Sequence, residues 1–322
     1  MKKLIILIAI VGASVSVAQV TGGFPDTALT LKVLDESEKP ILGAQASITF
    51  SVNDYGRSKY ETKQATTSSS GVFSAIGKSD GDVSYSVRKG GWYLSHSRYP
   101  FSLGNIRNGK QQPWNPEVNV VLKPIVNPIP MYARKLQTQI PQATGPVGFD
   151  LETGDWVAPY GKGGTNDILF TLKRQFTDRR NYEASVAITF PNKGDGVQAI
   201  SPKEVDSSSE LKLPRTAPEA GYEPKHATSI GATAGGPVHD DAQTNRSYFF
   251  RVRTVLDEDG KVKSALYGKI DGDFRLDAIN SKTCFVLFTY YLNPTPNDRN
   301  MEFNPENNLS ANLTSDERVS AP

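Results

Sequence analysis

The stretch Ala44-Gln45-Ala46-Ser47-Ile48-Thr49-Phe50-Ser51-Val52 decides the fold class. Apolar and polar residues alternate without a break, and successive side chains of a β-strand point to opposite faces. The segment therefore offers Ala44, Ala46, Ile48, Phe50 and Val52 to a core, and Gln45, Ser47, Thr49 and Ser51 to water. The same period recurs upstream at Leu29, Leu31 and Val33. Downstream it returns at Val83, Tyr85 and Val87 and again at Val118, Val120 and Leu122. Turn formers separate the runs at Glu38-Lys39-Pro40, Ser68-Ser69-Ser70-Gly71, Lys78-Ser79-Asp80-Gly81 and Gly90-Gly91. Short alternating strands at this spacing predict a β-sandwich of roughly a hundred residues.

Pro124, Pro128 and Pro130 then stiffen the chain and withhold donors from any ladder, which marks a boundary near residue 126. Alternation resumes at Ile168, Phe170 and Leu172, at Ala184, Val186, Ile188 and Phe190, and at Tyr248, Phe250 and Val252. Asp257-Glu258-Asp259-Gly260 turns the chain back through Ala265 to Ile270. Phe285 to Leu292 is apolar or aromatic at almost every position, the pattern of a central strand buried on both faces. The expected organisation is all-β: an immunoglobulin-like sandwich over 19–126, then a second β-sandwich or jelly-roll-like domain over 127–302. Within the second domain, the polar stretch 191–247 is too long for an ordinary loop, so it reads as disordered or as a functional excursion. The polar tail 303–322 is expected to fray.

Residues 1–18 read as a secretory leader: Lys2 and Lys3, an apolar run from Leu4 to Val11, and Ser16-Val17-Ala18 as the cleavage site, with Gln19 as the first mature residue. The run is too short for a stable membrane span. The full chain carries 36 Lys+Arg against 34 Asp+Glu, and loss of Lys2 and Lys3 with the leader balances them. A balanced mature chain gives no electrostatic ground for nucleic acid as a partner, and Lys173-Arg174 with Arg179-Arg180 reads as a solvated face. Cys284, the single cysteine, excludes an intramolecular disulfide and lies in an apolar run that suits a buried thiol.

Four stretches of the first domain carry a family resemblance. They are Leu31-Lys32-Val33-Leu34-Asp35, Pro40-Ile41-Leu42-Gly43-Ala44, Thr67 with Gly71-Val72-Phe73, and Val87-Arg88-Lys89-Gly90-Gly91-Trp92-Tyr93. On these residues the segment from about Thr27 to Lys123 resembles the carboxypeptidase regulatory-like, transthyretin-type β-sandwich family. It departs from the family at Lys39 and at Ser68 to Ser70. The resemblance implies a structural or adhesive accessory fold with no catalytic residues of its own, and Pro40 and Gly43 as the turn of a first hairpin. The C-terminal part resembles only uncharacterised secreted bacterial proteins.

The chemistry on offer is sparse. His96, His226 and His239 are the only histidines, and none stands in a zinc-peptidase spacing. Gly77-Lys78-Ser79-Asp80-Gly81 matches the nucleophile-elbow pattern but lies between two strands rather than a strand and a helix, so it reads as a polar hairpin turn. His239-Asp240-Asp241 with His226 offers imidazole and carboxylate to a cation or to acid–base work, against a solvated loop as the alternative. Asp257-x-Asp259-Gly260 begins like a calcium loop, yet position twelve is Gly268. Trp92, Tyr93, Tyr99, Trp114, Trp156 and Tyr160 are aromatics able to stack on sugar rings if exposed, and Trp156 and Tyr160, in a glycine-rich loop, are the candidate ligand-binding pair. Three Asn-x-Ser/Thr sites begin at Asn245, Asn308 and Asn312.

These readings converge on a secreted or periplasmic, non-enzymatic structural or interaction protein of a bacterial cell envelope, with an envelope protein or polysaccharide as partner. No cofactor and no metal are expected. A carbohydrate-binding protein using exposed aromatics is the alternative. A glycan-active hydrolase drawing carboxylates such as Asp271 and Asp273 from the second domain is the third reading.

Overall fold

The computed structural model describes residues 23–102, 104–279 and 283–322; the leader 1–18 lies outside the described residues. The fold is all-β, and one turn of 3-10 helix, Pro202–Glu204, is the only helical element among the described residues.

The first unit contains strands β1 (Asp26–Leu34), β2 (Gln45–Asp54), β3 (Arg57–Thr66), β4 (Val72–Lys78), β5 (Val83–Arg88), β6 (Ser95–Tyr99), β7 (Ile106–Arg107), β8 (Lys110–Gln111) and β9 (Glu117–Val121). One sheet runs β4-β1-β8-β7 with β9 also paired to β1, and the other runs β3-β2-β5-β6. Leu29, Leu31 and Val33 of β1 meet Ala46, Ile48 and Phe50 of β2 across the gap, with Val83, Val87, Val120 and Leu122 completing the core.

Two turns read as hairpins instead carry the chain between sheets. β1 and β2 do not pair, and neither do β4 and β5. The Pro40–Gly43 crossing is held by Thr67, whose Oγ1 donates to the Ile41 carbonyl at 2.6 Å and accepts from Ala44 N at 3.0 Å. β3 is exposed along its whole length. The β2 positions that face the core, Ile48 and Phe50, pair with Lys63 and Glu61, so inward-pointing charge blunts a free sheet edge.

The second unit contains β10 (Ile129–Gln139), β11 (Val147–Asp150), β12 (Asp155–Trp156), β13 (Ile168–Asp178), β14 (Asn181–Thr189), β15 (Gly196–Ala199), β16 (Lys225–Ala232), β17 (His239–Asp240), β18 (Tyr248–Leu256), β19 (Val262–Asp277), β20 (Phe285–Leu292) and β21 (Phe303–Asn308). Its sheets run β15-β18-β19-β20-β10-β21 and β12-β11-β13-β14-β16-β17. Between them lies a core rich in aromatic rings, including Phe149, Phe170, Phe274, Phe288 and Tyr290. The first sheet is also covered on its reverse face, where Met131, Phe249, Tyr267 and Tyr291 meet Leu213, Ala217, Met301 and Val319.

That second layer corrects two expectations. The polar stretch 191–247 is not disordered: it supplies β15, β16 and β17 and buries Leu211, Leu213 and Ala217. The tail 303–322 does not fray. β21 adds to β10 in parallel, Val319 is buried, and Tyr291 Oη donates to the Ala321 carbonyl at 3.2 Å. Hydrogen bonds to residues distant in sequence, such as Lys135 N to the Glu317 carbonyl, help hold these segments, and local hydropathy does not record such partners.

Candidate functional site

The aromatics proposed as a sugar platform do not assemble into one. Trp156 pairs with Phe149 in the β11–β12 ladder, so its ring follows Phe149 into the core. It is 4% exposed, packs edge-on against Phe149 and Phe170 at 5.2 and 5.4 Å, and donates from Nε1 to Thr138 Oγ1 at 3.1 Å. Burial corrects its assignment as a ligand platform. Tyr160 is 47% exposed but makes no ring contact with another aromatic among the described residues. Trp92 packs on the core of the first unit and Tyr93 is buried between the units, while Trp114 lies under Lys110 Nζ at 4.5 Å.

The other motifs resolve into structural roles. Ser79 is fully buried, and its Oγ donates to the Ser51 and Gly81 carbonyls at 3.0 and 3.1 Å, which ties the crossing between β4 and β5. His226, on β16, sits between the rings of Tyr248 and Phe274, where burial holds its pKa below the usual imidazole value. His239, on β17, is exposed and lies near Glu183 at 3.5 Å. Among the described residues no group of three or more His, Cys, Asp or Glu is placed to hold a metal ion. Cys284 is buried, and burial pushes its thiol pKa up to about 11.

An open groove of about 910 Å³ lies on the reverse face of the β15–β21 sheet, beyond the end of the second apolar layer. β20 forms its floor with Phe285, Leu287 and Thr289, flanked in register by Arg275 and Gln137 beside Leu287, and by Asp271 and Lys135 beside Thr289. A bulge shapes one wall. Between Asp271 and Arg275, β19 advances four residues while β20 advances two, and Gly272 takes φ +89°. The extra residues drive Phe274 into the core and leave Asp273 at the groove wall. The tail forms the opposite wall with Thr314, Asp316 and Glu317.

Asp271 and Asp273, the carboxylates considered for hydrolysis, both reach this groove, and both are engaged. Asp271 pairs with Lys212 at 3.3 Å. Asp273 accepts from Tyr248 Oη at 2.6 Å, from the backbone N–H groups of Gln243 and Phe274 at 2.9 Å, and faces Arg246 at 3.3 Å. Burial, reinforced by the bond to Asp273, raises the Tyr248 pKa well above its ordinary value.

A second polar cluster organises the β11–β13 region. Arg253 donates from Nε and Nη2 to the two oxygens of fully buried Asp167 at 2.8 and 3.0 Å, and from Nη1 to Glu152 at 2.7 Å. Asp150 accepts from the backbone N–H groups of Glu152, Thr153, Gly164 and Thr165. Burial works to raise its pKa, but those donors prevail and hold it below the usual carboxylate value.

The two units meet through a third cluster. Glu302, 1% exposed, accepts from Tyr93 Oη at 2.7 Å, from Val126 N at 2.9 Å and from Asn127 N at 2.8 Å. Arg215 donates to Glu36 at 2.8 Å and to the Pro124 carbonyl. Lys123 donates to the Leu211 carbonyl at 2.7 Å, and His96 N donates to the Ser208 carbonyl at 2.7 Å, so the 206–215 segment lies along the β6 edge of the first unit. Nearby, Lys269 is fully buried with Nζ over the Tyr291 ring at 4.6 Å and on the Met301 carbonyl at 2.7 Å; burial brings its pKa down to about 7.

No protein-family model matches the chain, and no curated protein matches it. Solved structures do match. The shaft pilin spaA of Lactobacillus rhamnosus GG is 12% identical at a TM-score of 0.22, covering 72% of this chain and 89% of its own. The major pilin subunit BcpA of Bacillus cereus is 12% identical at 0.23, covering 81% and 95%. A candidate carbohydrate-binding protein of Bacteroides uniformis is 11% identical at 0.20, covering 85% and 99%. At these values the likenesses carry no argument about function.

Proposed function

We propose that the protein is a non-enzymatic structural and interaction component of a bacterial cell envelope, acting outside the cytoplasm after removal of its leader near Ala18. Its partner is an envelope protein or polysaccharide. The observation that carries the reading is the use made of the buried carboxylates. Asp150, Asp167, Asp195, Asp273 and Glu302 are the buried acids among the described residues, and each has both oxygens engaged by backbone N–H groups or by side-chain donors. A general acid or base needs a carboxyl free to exchange a proton with substrate. These five stitch loops, a bulge and the joint between units. The resemblance of the first unit to an accessory sandwich family supports the same reading.

The test is affinity capture by tagged residues 19–322 from the envelope of the source organism, with bound protein and bound glycan read separately. A stoichiometric envelope partner is the expected result. Turnover of any substrate that disappears on a single point substitution would overturn the reading.

A further inference from the structure

From the groove on the reverse face of the β15–β21 sheet we infer a binding site for an uncharged oligosaccharide. The inference rests on the reading of the protein as an envelope interaction module and selects polysaccharide as what this face holds.

Charge balance makes the first argument. Of the carboxylates in the groove, Asp271 is paired with Lys212, Asp273 with Arg246 and Tyr248, and Glu317 with Arg134 at 3.3 Å. Asp240 and Asp316 remain: they accept from Ala242 N at 2.9 Å and Ser315 Oγ at 3.4 Å but have no ion-pair partner among the described residues, and they are set against Lys135 and Arg275, which have none either. Two unpaired negative and two unpaired positive charges balance, which favours neither a polycation nor a polyanion, and a neutral ligand is the complement.

The arrangement of the floor makes the second. Phe285 and Leu287 form an apolar midline along β20, while Arg275 and Gln137 stand on either side of Leu287, and Asp271 and Lys135 on either side of Thr289. A pyranose has the matching form, with an apolar ring face and a rim of hydroxyls that both donate and accept. The ring would lie over Phe285 and Leu287, with its hydroxyls reaching the flanking amide, guanidinium, ammonium and carboxylate groups. The volume of about 910 Å³ falls at the upper end of the range for ligand sites, roughly 300–1,000 Å³, and suits several sugar units.

Along the floor β20 is hydrogen-bonded to β19 on one side and to β10 on the other, so a ligand over its midline meets side chains rather than a free backbone edge.

The test is isothermal titration of residues 19–322 with uncharged gluco-, manno-, galacto- and N-acetylglucosamine oligosaccharides, at low and high salt. At least one series is expected to bind with an affinity that salt does not change. Gln137→Ala and Arg275→Ala, both at exposed positions, should each weaken binding up to about tenfold while leaving the melting temperature unchanged. Tyr160→Ala should leave the affinity unchanged. The inference is overturned if no neutral probe binds, if both groove variants bind like the parent, or if only charged polymers bind with a steep salt dependence. Capture of the same envelope protein by parent and groove variants, with no glycan, would overturn the inference and leave the envelope role standing.

Discussion

Replacing Glu302 by Gln should loosen the joint between the two units at a cost that can be worked from its bonds. The carboxylate accepts three donors, Tyr93 Oη, Val126 N and Asn127 N, in a site that is 1% exposed. A glutamine of the same shape keeps one acceptor oxygen. If that oxygen stays on Tyr93 and Val126, two charge-assisted bonds fall to neutral strength, a loss of about 1 kcal/mol each. The new amide N–H₂ then faces the Asn127 N–H, and a buried donor left without an acceptor costs about 2 kcal/mol more. The sum is about 4 kcal/mol, a large share of the roughly 5–15 kcal/mol that holds a typical domain. Urea denaturation followed by circular dichroism should show the midpoint fall with the slope retained. Tyr93→Phe removes a single bond and should cost about 1–2 kcal/mol, and the double variant should fall short of the sum by about 1 kcal/mol or more because both side chains serve one network. A loss below about 1 kcal/mol for Glu302→Gln would refute the reasoning, because it would mean that water already serves these donors.

Arg253→Ala strands Asp167, fully buried, without its bidentate partner, and should cost about 3–5 kcal/mol by thermal melting. Gly268→Ala places a Cβ onto the Phe250 ring and the Tyr291 carbonyl, and should cost about 1–3 kcal/mol; an unchanged melting temperature would show that the β18–β19 packing is loose. Stability should rise from pH 7 toward pH 9. Lys269 has its pKa lowered from 10.5 to about 7 by burial, so the unfolded chain binds more protons in that window and each step upward favours the fold. From about pH 9 the trend should flatten and then reverse, because burial raises the pKa of Cys284 from 9.0 to about 11 and raises those of Tyr93, Tyr222, Tyr248, Tyr290 and Tyr291, so only the unfolded chain releases those protons. Urea midpoints across pH 7 to 11 check both limbs, and Lys269→Met should flatten the first.

What the sequence discloses depends on whether apolar periodicity does the holding. Ala44 to Val52 and Phe285 to Leu292 are legible because alternate positions, or nearly all positions, face a core. β3 is not, since Arg57 to Thr66 is exposed throughout and its pairing partner alone makes it a strand. The 201–217 segment and the tail escape notice for a related reason: backbone and charged contacts to distant residues, such as Lys135 N to the Glu317 carbonyl, fix them, and no local pattern records such partners. Trp156 misleads because its glycine-rich loop resembles a surface loop, while its register opposite Phe149 sends the ring inward. The groove depends on a bulge whose only local sign is Gly272, and on a wall supplied by a tail that composition reads as loose.

The contacts of Glu302, Arg215 and Lys123 join the two β units, and the account predicts that they hold the units in a single arrangement. Double electron–electron resonance between spin labels at Ser58→Cys and Lys225→Cys, one on each unit, tests it most directly. Cys284 should stay unlabelled, because it is buried and its thiol pKa is pushed up to about 11. The account predicts a single narrow distance distribution that broadens in Glu302→Gln. A broad distribution in the parent protein would contradict it.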